Sequence, residues 1–380
     1  MNREQHDDWN PRDATIQEDQ RHAYDELRER CPVARSKFLG WSLFRHADIA
    51  AVLSDPETYS NASRHLAIPN GMDPPVHGPY RDALAAYFGH DQMEQLEPRA
   101  RAIAVNLLAP AIAGGQMEFI DAFATPFVLR TLCAWLGWPE RQWECLGGWV
   151  HGSQQAAFGQ DHAAGSALAS LFSEHAKANL SLHRAAPDDI VDATDALLST
   201  EVDGKRFDDD EIVSVLRNWT AGQGTVATGL GILVLHLAQE PALQDRLRRD
   251  LTLIPAAIEE ILRVDGPLVA NRRVTTREVE IQDRTIPKGE PLTLMWIAAN
   301  RDPRAFDDPN AVTLERSEEA GLVWGQGIHL CLGASLARLQ MRVALEELLS
   351  RTTRVEISGA PPRRAVYPSN GPAALLLHLG

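Results

Sequence analysis

The segment Trp324–Gly333, reading Trp-Gly-Gln-Gly-Ile-His-Leu-Cys-Leu-Gly, constrains this chain more than any other stretch. It sets one cysteine, Cys331, after a glycine-rich loop and at the start of an apolar run. A thiolate is costly to hold in apolar surroundings unless charge and hydrogen-bond donors stabilise it. Backbone N–H groups of residues 326–333, and the N-terminus of the helix expected after them, can point at the sulfur. Gly325, Gly327 and Gly333 let the backbone approach a flat ring closely, and Trp324 offers an aromatic wall. A thiolate ligand to haem iron needs these parts. For a lone cysteine the ordinary alternative is an inert buried thiol. A zinc site lacks the second ligand pair that His329 and Cys331 would require.

The rest of the chain reads as one mostly helical domain with a minor β region. With 380 residues and 44% hydrophobic content it can bury a large core. The formal net charge of −15 argues against broad nucleic-acid binding. The longest apolar stretch, 224–238, is glycine-rich and too short to span a bilayer. Met1–Gln20 is polar, without a secretory pattern. The four cysteines (31, 133, 145 and 331) form no Cys-x-x-Cys pair. A cytoplasmic, reducing location and no membrane association are expected.

Residues 1–20 are expected to form a flexible arm and 21–380 the folded domain. Periodicity predicts helices over 23–30, 47–54, 80–109, 119–136, 208–239, 255–264 and 333–351, with further helix in 142–184. Residues 64–79, rich in Pro, Gly and His, are expected to be an exposed loop. Alternation over 273–294, with a turn at Pro287-Lys288-Gly289, predicts a small sheet. Two glycines within Thr220-Ala-Gly-Gln-Gly-Thr-Val, inside the 208–239 helix, cost about 1 kcal/mol each relative to Ala and predict a kink there.

The 324–333 loop resembles the haem-binding signature of the cytochrome P450 superfamily, aromatic-Gly-x-Gly-x-His-x-Cys-x-Gly, with Trp324 where phenylalanine is usual. From about Arg21 to the C-terminus the other motifs follow in family order. The resemblance implies a mainly α, single-domain cytochrome P450 fold with a small β-rich region, and haem b held by the Cys331 thiolate. Glu260 and Arg263 are similar to the family's Glu-x-x-Arg pair, with Arg316 as the joining arginine. His77 and Arg81 resemble its His-x-x-x-Arg. With Arg273 and His329 they are implied as partners of the haem propionates, for which charge-assisted bonding suits arginine; Arg272 is the register competitor of Arg273.

In the segment resembling Ala/Gly-Gly-x-acid-Thr, Ala221, Gly222 and Thr225 match, and Gly224 stands at the acid position. Thr225 is implied as the hydroxyl that serves iron-bound dioxygen. Without the acid, Gln223, an ordered water or the substrate is left to complete a proton relay.

The implied activity is a monooxygenase that uses O2 and two external electrons to hydroxylate, epoxidise or O-dealkylate a medium-sized, largely apolar small molecule. Two other readings stand beside it: a haem-thiolate enzyme of atypical chemistry, such as peroxide-driven oxidation, and a non-enzymatic haem sensor. By position, Leu268, Val269, Asn271 and Ser369 are candidate substrate contacts, with Asn61 and Asn370 as further polar handles. The segment 270–276 resembles a branch fused to flavin and iron–sulfur reductases, yet this chain carries no flavin or iron–sulfur motif. A separate donor of ferredoxin or flavodoxin type, served by an NAD(P)H reductase, is therefore expected. Arg99, Arg101, Arg338 and Arg342 are candidates for a cationic docking patch.

Overall fold

The centre of the molecule is a 31-residue helix, Asp209–Gln239, that starts where its sequence says it should. Asp208 accepts the Glu211 N–H and Glu211 accepts the Asp208 N–H, so a capping box satisfies two N-terminal donors. Acidic residues fill the first turn, favoured by the helix dipole. Its C-terminal half is buried nearly all round, which makes it the axle of the main core. By length and composition this helix could cross a membrane, but most of its apolar window is buried inside the protein.

The computed structural model describes residues 7–185, 192–317, 321–365 and 367–380. Its helices in chain order are α1 (Ala14–Glu18), α2 (Gln20–Arg30), α3 (His46–Ser54), α4 (His77–Ala85), α5 (His90–Gly114), α6 (Thr125–Leu136), α7 (Trp143–Gly159), α8 (His162–Arg184), α9 (Ala193–Ser199), α10 (Asp209–Gln239), α11 (Pro241–Arg249), α12 (Ile254–Val264), α13 (Trp296–Ala299) and α14 (Ala334–Arg351). Helices α5, α6, α10, α12 and α14 pack into one apolar cluster. A five-stranded sheet lies to one side, in the order Val33–Ser36, Gly40–Leu43, Pro291–Met295, Ala270–Thr275, Tyr59–Ser60. The expected sheet over 273–294 is therefore present, with a hairpin of Val279–Ile281 and Arg284–Ile286 inside it and Gly289 at positive φ in the turn.

Four expectations change. The 80–109 helix is two helices, α4 and α5, separated by a 3-10 turn at Ala86–Phe88 and by Gly89 at the α5 N-cap. The 64–79 loop is pinned to α10: Ser214 receives the Ile68 N–H, and Asn218 donates to the Ile68 carbonyl. The arm is not loose from residue 7 onward. Trp9, only 6% exposed, packs edge-on against Tyr24 and Phe44 and ties the arm to a core cluster of its own; residues 1–6 lie outside the described ones. Finally, α10 runs as continuous α-helix through Ala221–Thr225. The glycine cost there does not break it, because its neighbours on both sides are held by packing.

Candidate active site

The cysteine loop is built by backbone bonds that two glycines permit. Gly325 and Gly327 have φ near +70°, the left-handed region. A Cβ on Gly327 would sit 2.5 Å from the Leu53 carbonyl oxygen, so that position is closed to any side chain. The Cys331 N–H donates to the Trp324 carbonyl at 2.8 Å, which folds the loop back on itself, and Leu330 N–H donates to Gly327 O. Gly333 caps α14 with negative φ, and a Cβ there would make only ordinary contact with Phe88. Close packing within the chain thus does not demand glycine at 333, unlike 327.

Cys331 is accessible, yet protein surrounds it closely enough that burial raises its thiol pKa. These two facts agree if the sulfur opens onto an interior cleft, and the density of surrounding atoms is the better guide to its electrostatics. The Gly333 N–H, Arg81 and Arg338 pull the other way, toward the thiolate.

Beside the sulfur, the predicted donors gather. His77 and His329 meet edge-on, ring centroids 4.6 Å apart. His77 Nε2 and both ring nitrogens of His329 are buried with no partner among the described residues. Burial first, then the charges of Arg273 and His77, push His329 down to about 4. Burial and Arg81 likewise lower His77. Arg81 makes no hydrogen bond among the described residues; Arg273 is buried and donates to Asn61 Oδ1 at 3.2 Å and to the Arg272 carbonyl. Arg272 alternates to the exposed face beside Tyr367, which separates the two register candidates. Of the acids, Asp73 is the one that acts on both His77 and Arg273. Cations and unpaired donors outnumber anions here, and buried polar groups are normally partnered. The set fits a flat, iron-bearing ring with two carboxylates: a sulfur for the metal, and arginine and imidazole for the carboxylates.

The Glu-x-x-Arg motif is assembled as the sequence implies. Glu260 takes Arg263 Nε at 2.7 Å and Nη2 at 2.9 Å, Arg316 Nε at 2.7 Å and the Thr313 N–H at 3.1 Å. Burial raises the Glu260 carboxyl, and the bonds from Arg263 and Arg316 outweigh it, leaving the pKa lowered. Arg263 in turn donates to the carbonyls of Asn300, Pro309 and Ala311, tying α12 to the segment ahead of the cysteine loop.

On α10, Ala221 and Gly222 are exposed, and Thr225 is half-buried. Thr220 and Thr228 spend their hydroxyls on the carbonyls four residues back, whereas Thr225 Oγ1 has no partner among the described residues. Gln223 is a correction. It is buried, and its Oε1 accepts from Gln340 Nε2 at 3.0 Å, so it faces α14 and not the open side of the helix. It is not placed to relay protons to Thr225. At Gly224, a Cβ would lie 2.7 Å from both Gln154 Nε2 and Val150 Cγ1 of α7. The space an acid would take is filled by a neighbour's amide.

Among the substrate candidates, Leu268 is 37% exposed and bridges Ser369, and Asn271 is exposed. Val269 is a correction: it is fully buried in the Trp9–Tyr24–Phe44 cluster, because strand alternation turns it to the opposite face. Asn370 is also withdrawn, being buried and bonded to Asp265 and Gly266. The expected cationic patch is largely neutralised: Arg99 donates to the Ala134 carbonyl, and the other three arginines are paired with acids. Arg101 and Arg342 are ion-paired with Glu97 and Glu346, Arg101 also with Glu347, and Arg338 with Glu259. Two open clefts, of about 620 and 550 Å³, are not lined by Cys331, although Arg338 and Glu259 border the second.

Sequence reasoning missed Glu259, Gln154 and Gln340. Each acts through a partner far along the chain, and no spacing rule signals it.

The comparisons agree with this geometry. The family model Cytochrome P450 matches residues 162–364. The cyclomarin C epoxidase CymV of Salinispora arenicola is 32% identical over 355 residues, spanning 88% of this chain and 89% of that protein. The erythromycin C-12 hydroxylase of Saccharopolyspora erythraea is 33% identical over 349 residues, spanning 87% and 86%. A solved mutant of P450 EryK in complex with erythromycin B superposes with a TM-score of 0.88 at 30% identity, covering 95% of this chain and 96% of that one. Members of this family bind haem b through a cysteine thiolate, and their named activities are oxidations of organic substrates. The chain belongs to the cytochrome P450 family and is a haem-thiolate monooxygenase.

Proposed function

We propose that Cys331 supplies the thiolate, that His77, Arg81, Arg273 and His329 hold the two haem propionates, and that Ala221–Thr225 borders the opposite side, where O2 and substrate meet. The carrying observation is the group of three unpartnered ring nitrogens on His77 and His329, set with Arg81 and Arg273 beside an accessible thiol. An unsatisfied buried polar group costs about 1–3 kcal/mol, so a bound dianion would relieve several such costs together. Bound haem supplies O2 activation and insertion of one oxygen atom into the substrate.

The protein's own residues do the rest. The Gly333 N–H and the start of α14 stabilise charge on sulfur. Trp324 and Gly325 shape the loop under the ring, and Gly333 ends it. Thr225 Oγ1, with no competing partner, is free to donate a hydrogen bond or pass a proton on the substrate side. Gln154, Val150 and Gly224 close that side between α7 and α10.

The substrate is a medium-sized organic molecule, mostly apolar, oxidised by hydroxylation or epoxidation, the two activities named for the relatives above. Leu268, Asn271 and Ser369 line its entrance. Electrons come from a separate ferredoxin- or flavodoxin-type donor, and the enzyme works in the cytoplasm.

The ferrous protein with carbon monoxide should show the red-shifted Soret band of a sulfur-ligated haem, and Cys331→Ala should abolish it. A band that persists in that variant refutes the assignment. With a surrogate reductase, substrate should accelerate NAD(P)H consumption and yield an oxygenated product.

A further inference from the structure

Glu259 and Glu260 are consecutive on α12, yet they serve different sets of groups. Glu260 takes the two arginines of the core network. Glu259 faces the cysteine loop: its Oε2 accepts the Trp324 indole N–H at 2.7 Å and its Oε1 accepts Arg338 Nε at 2.7 Å. The Arg338 guanidinium also lies over the Trp324 ring, 4.7 Å from the centroid. One carboxylate, one indole and one guanidinium therefore close a three-membered cluster. It is attached to Cys331 by the main chain, since the Trp324 carbonyl accepts the Cys331 N–H.

Two consequences follow from this arrangement. The indole N–H is fully engaged by Glu259, so it is not available to the Cys331 sulfur, and tryptophan here acts through position and ring. Arg338 lies near enough to Cys331 to favour its charged form, and Glu259 offsets that positive charge. The cluster is only partly solvated: Glu259 is 14% exposed at its side chain and Arg338 44%. A half-buried pair of this kind is screened less than a surface pair, and its bonds are charge-assisted.

We propose that Glu259 is a positioning residue for the reduction step, its two carboxylate oxygens fixing the Trp324 indole and the Arg338 guanidinium together so that orientation of the cysteine loop and local charge are set as one unit. This rests on Cys331 being the iron ligand. In that step one electron from the external donor converts ferric to ferrous haem, with no bond to Glu259, Trp324 or Arg338 made or broken. The added electron makes the site more negative. Removing the Glu259 charge therefore favours the ferrous form, and removing the Arg338 charge disfavours it.

The test uses the intact haem protein and begins with the ferrous–carbon monoxide spectrum. Absence of the red-shifted Soret band in the unaltered protein sinks the Cys331 assignment and says nothing separate about Glu259. With the band present, the ferric–ferrous midpoint potential is compared across Glu259→Gln, Arg338→Gln and the double variant. Glu259→Gln should shift the equilibrium toward ferrous by about three- to tenfold, about 30–60 mV at 59 mV per tenfold for one electron. Arg338→Gln should shift it the opposite way, and the double variant should return near the starting value.

The second readout is the Trp324 indole N–H proton resonance in the diamagnetic ferrous–carbon monoxide form, assigned with Trp324→Phe. It should move upfield in Glu259→Gln as the charged acceptor is lost. Shifts of the same sign in both single variants, potentials unchanged with the Soret band intact, or an unmoved indole resonance would overturn the proposal. If Glu259→Gln fails to fold, the half-exposed Arg338→Gln still decides the sign.

Discussion

The thiolate side of the site and the oxygen side are built by opposite means. On the thiolate side, apart from the His77 and His329 ring nitrogens and Arg81, the polar groups are paired. Glu260 accepts four hydrogen bonds, Arg263 donates to three carbonyls, Trp324 is held through both its ring N–H and its carbonyl, and Gly327 is packed against Leu53 O. On the oxygen side, among the described residues, Thr225 Oγ1 has no partner, Ala221 and Gly222 are uncovered, and Gly224 is approached by side-chain atoms of α7. The first region is over-determined and holds a ligand still. The second leaves the Thr225 hydroxyl and the Ala221–Gly222 surface uncommitted to other groups among the described residues.

The hardest test of that contrast strikes the paired side. Glu260→Ala leaves Arg263 and Arg316 facing a buried gap. It should destabilise the protein by about 3–5 kcal/mol, the usual cost of breaking a buried pair from one side, read as a large fall in Tm and loss of haem during purification. If Glu260→Ala melts within a degree or two of the parent, the network is not what holds α12 to the loop.

On the oxygen side the effects should fall on chemistry and leave Tm nearly unchanged. Thr225→Val removes the unpartnered hydroxyl while keeping the shape, and product formed per NAD(P)H consumed should drop about tenfold, less than the roughly 100-fold or more of a dedicated general acid because water can stand in for one hydroxyl. Gly224→Glu restores an acid in the family's position but drives its Cβ into Gln154 and Val150. Alone it should weaken substrate binding about threefold in a spectral titration without improving coupling. Combined with Gln154→Ala it should recover binding, and only then can the new carboxylate raise coupling. A single variant that improves both would show that α7 yields freely at this point.

The same contrast explains what could be read from the sequence. Gly325, Gly327 and the Glu260–Arg263–Arg316 set are legible because each needs a particular residue type at a fixed spacing, and the same kind of signal underlies the roles proposed for Cys331 and the four donors. Main-chain direction then does the rest: Arg273 and not Arg272 faces inward by strand alternation. The misses sit where partners are remote in sequence. Gln223 looked like a relay because it neighbours Gly224, but a helix turns about 100° per residue, which points it at Gln340 on α14. Segment position points Val269 to the pocket, whereas the residue, just ahead of the Ala270–Thr275 strand, packs into the core. The helix break at Gly89 is hidden because the apolar period continues across it, and the arm is anchored by Trp9 together with polar contacts of Asp8 and Arg12 to residues remote in sequence.

The arginines on the α5–α14 surface make the smallest and most discriminating case, since a sequence count of cations suggested a docking patch there. The Arg342 bond, opposed by burial and aided by Arg101, holds Glu97 down to about 2. A carboxylate lowered in the folded state contributes stability that is present above its unfolded value near 4.5 and is lost as pH falls toward 2. Glu97→Gln should therefore lower Tm slightly at pH 7 and flatten the decline of Tm between pH 5 and 3. The pair is close to the surface, so the loss at pH 7 should be at most about 1 kcal/mol. The variant also releases Arg101 and Arg342 from one shared acid, making this face more positive, so partner-driven reduction by an acidic donor should become faster at low salt. A slower rate would mean that the paired surface itself, and not its cations, is what the donor recognises.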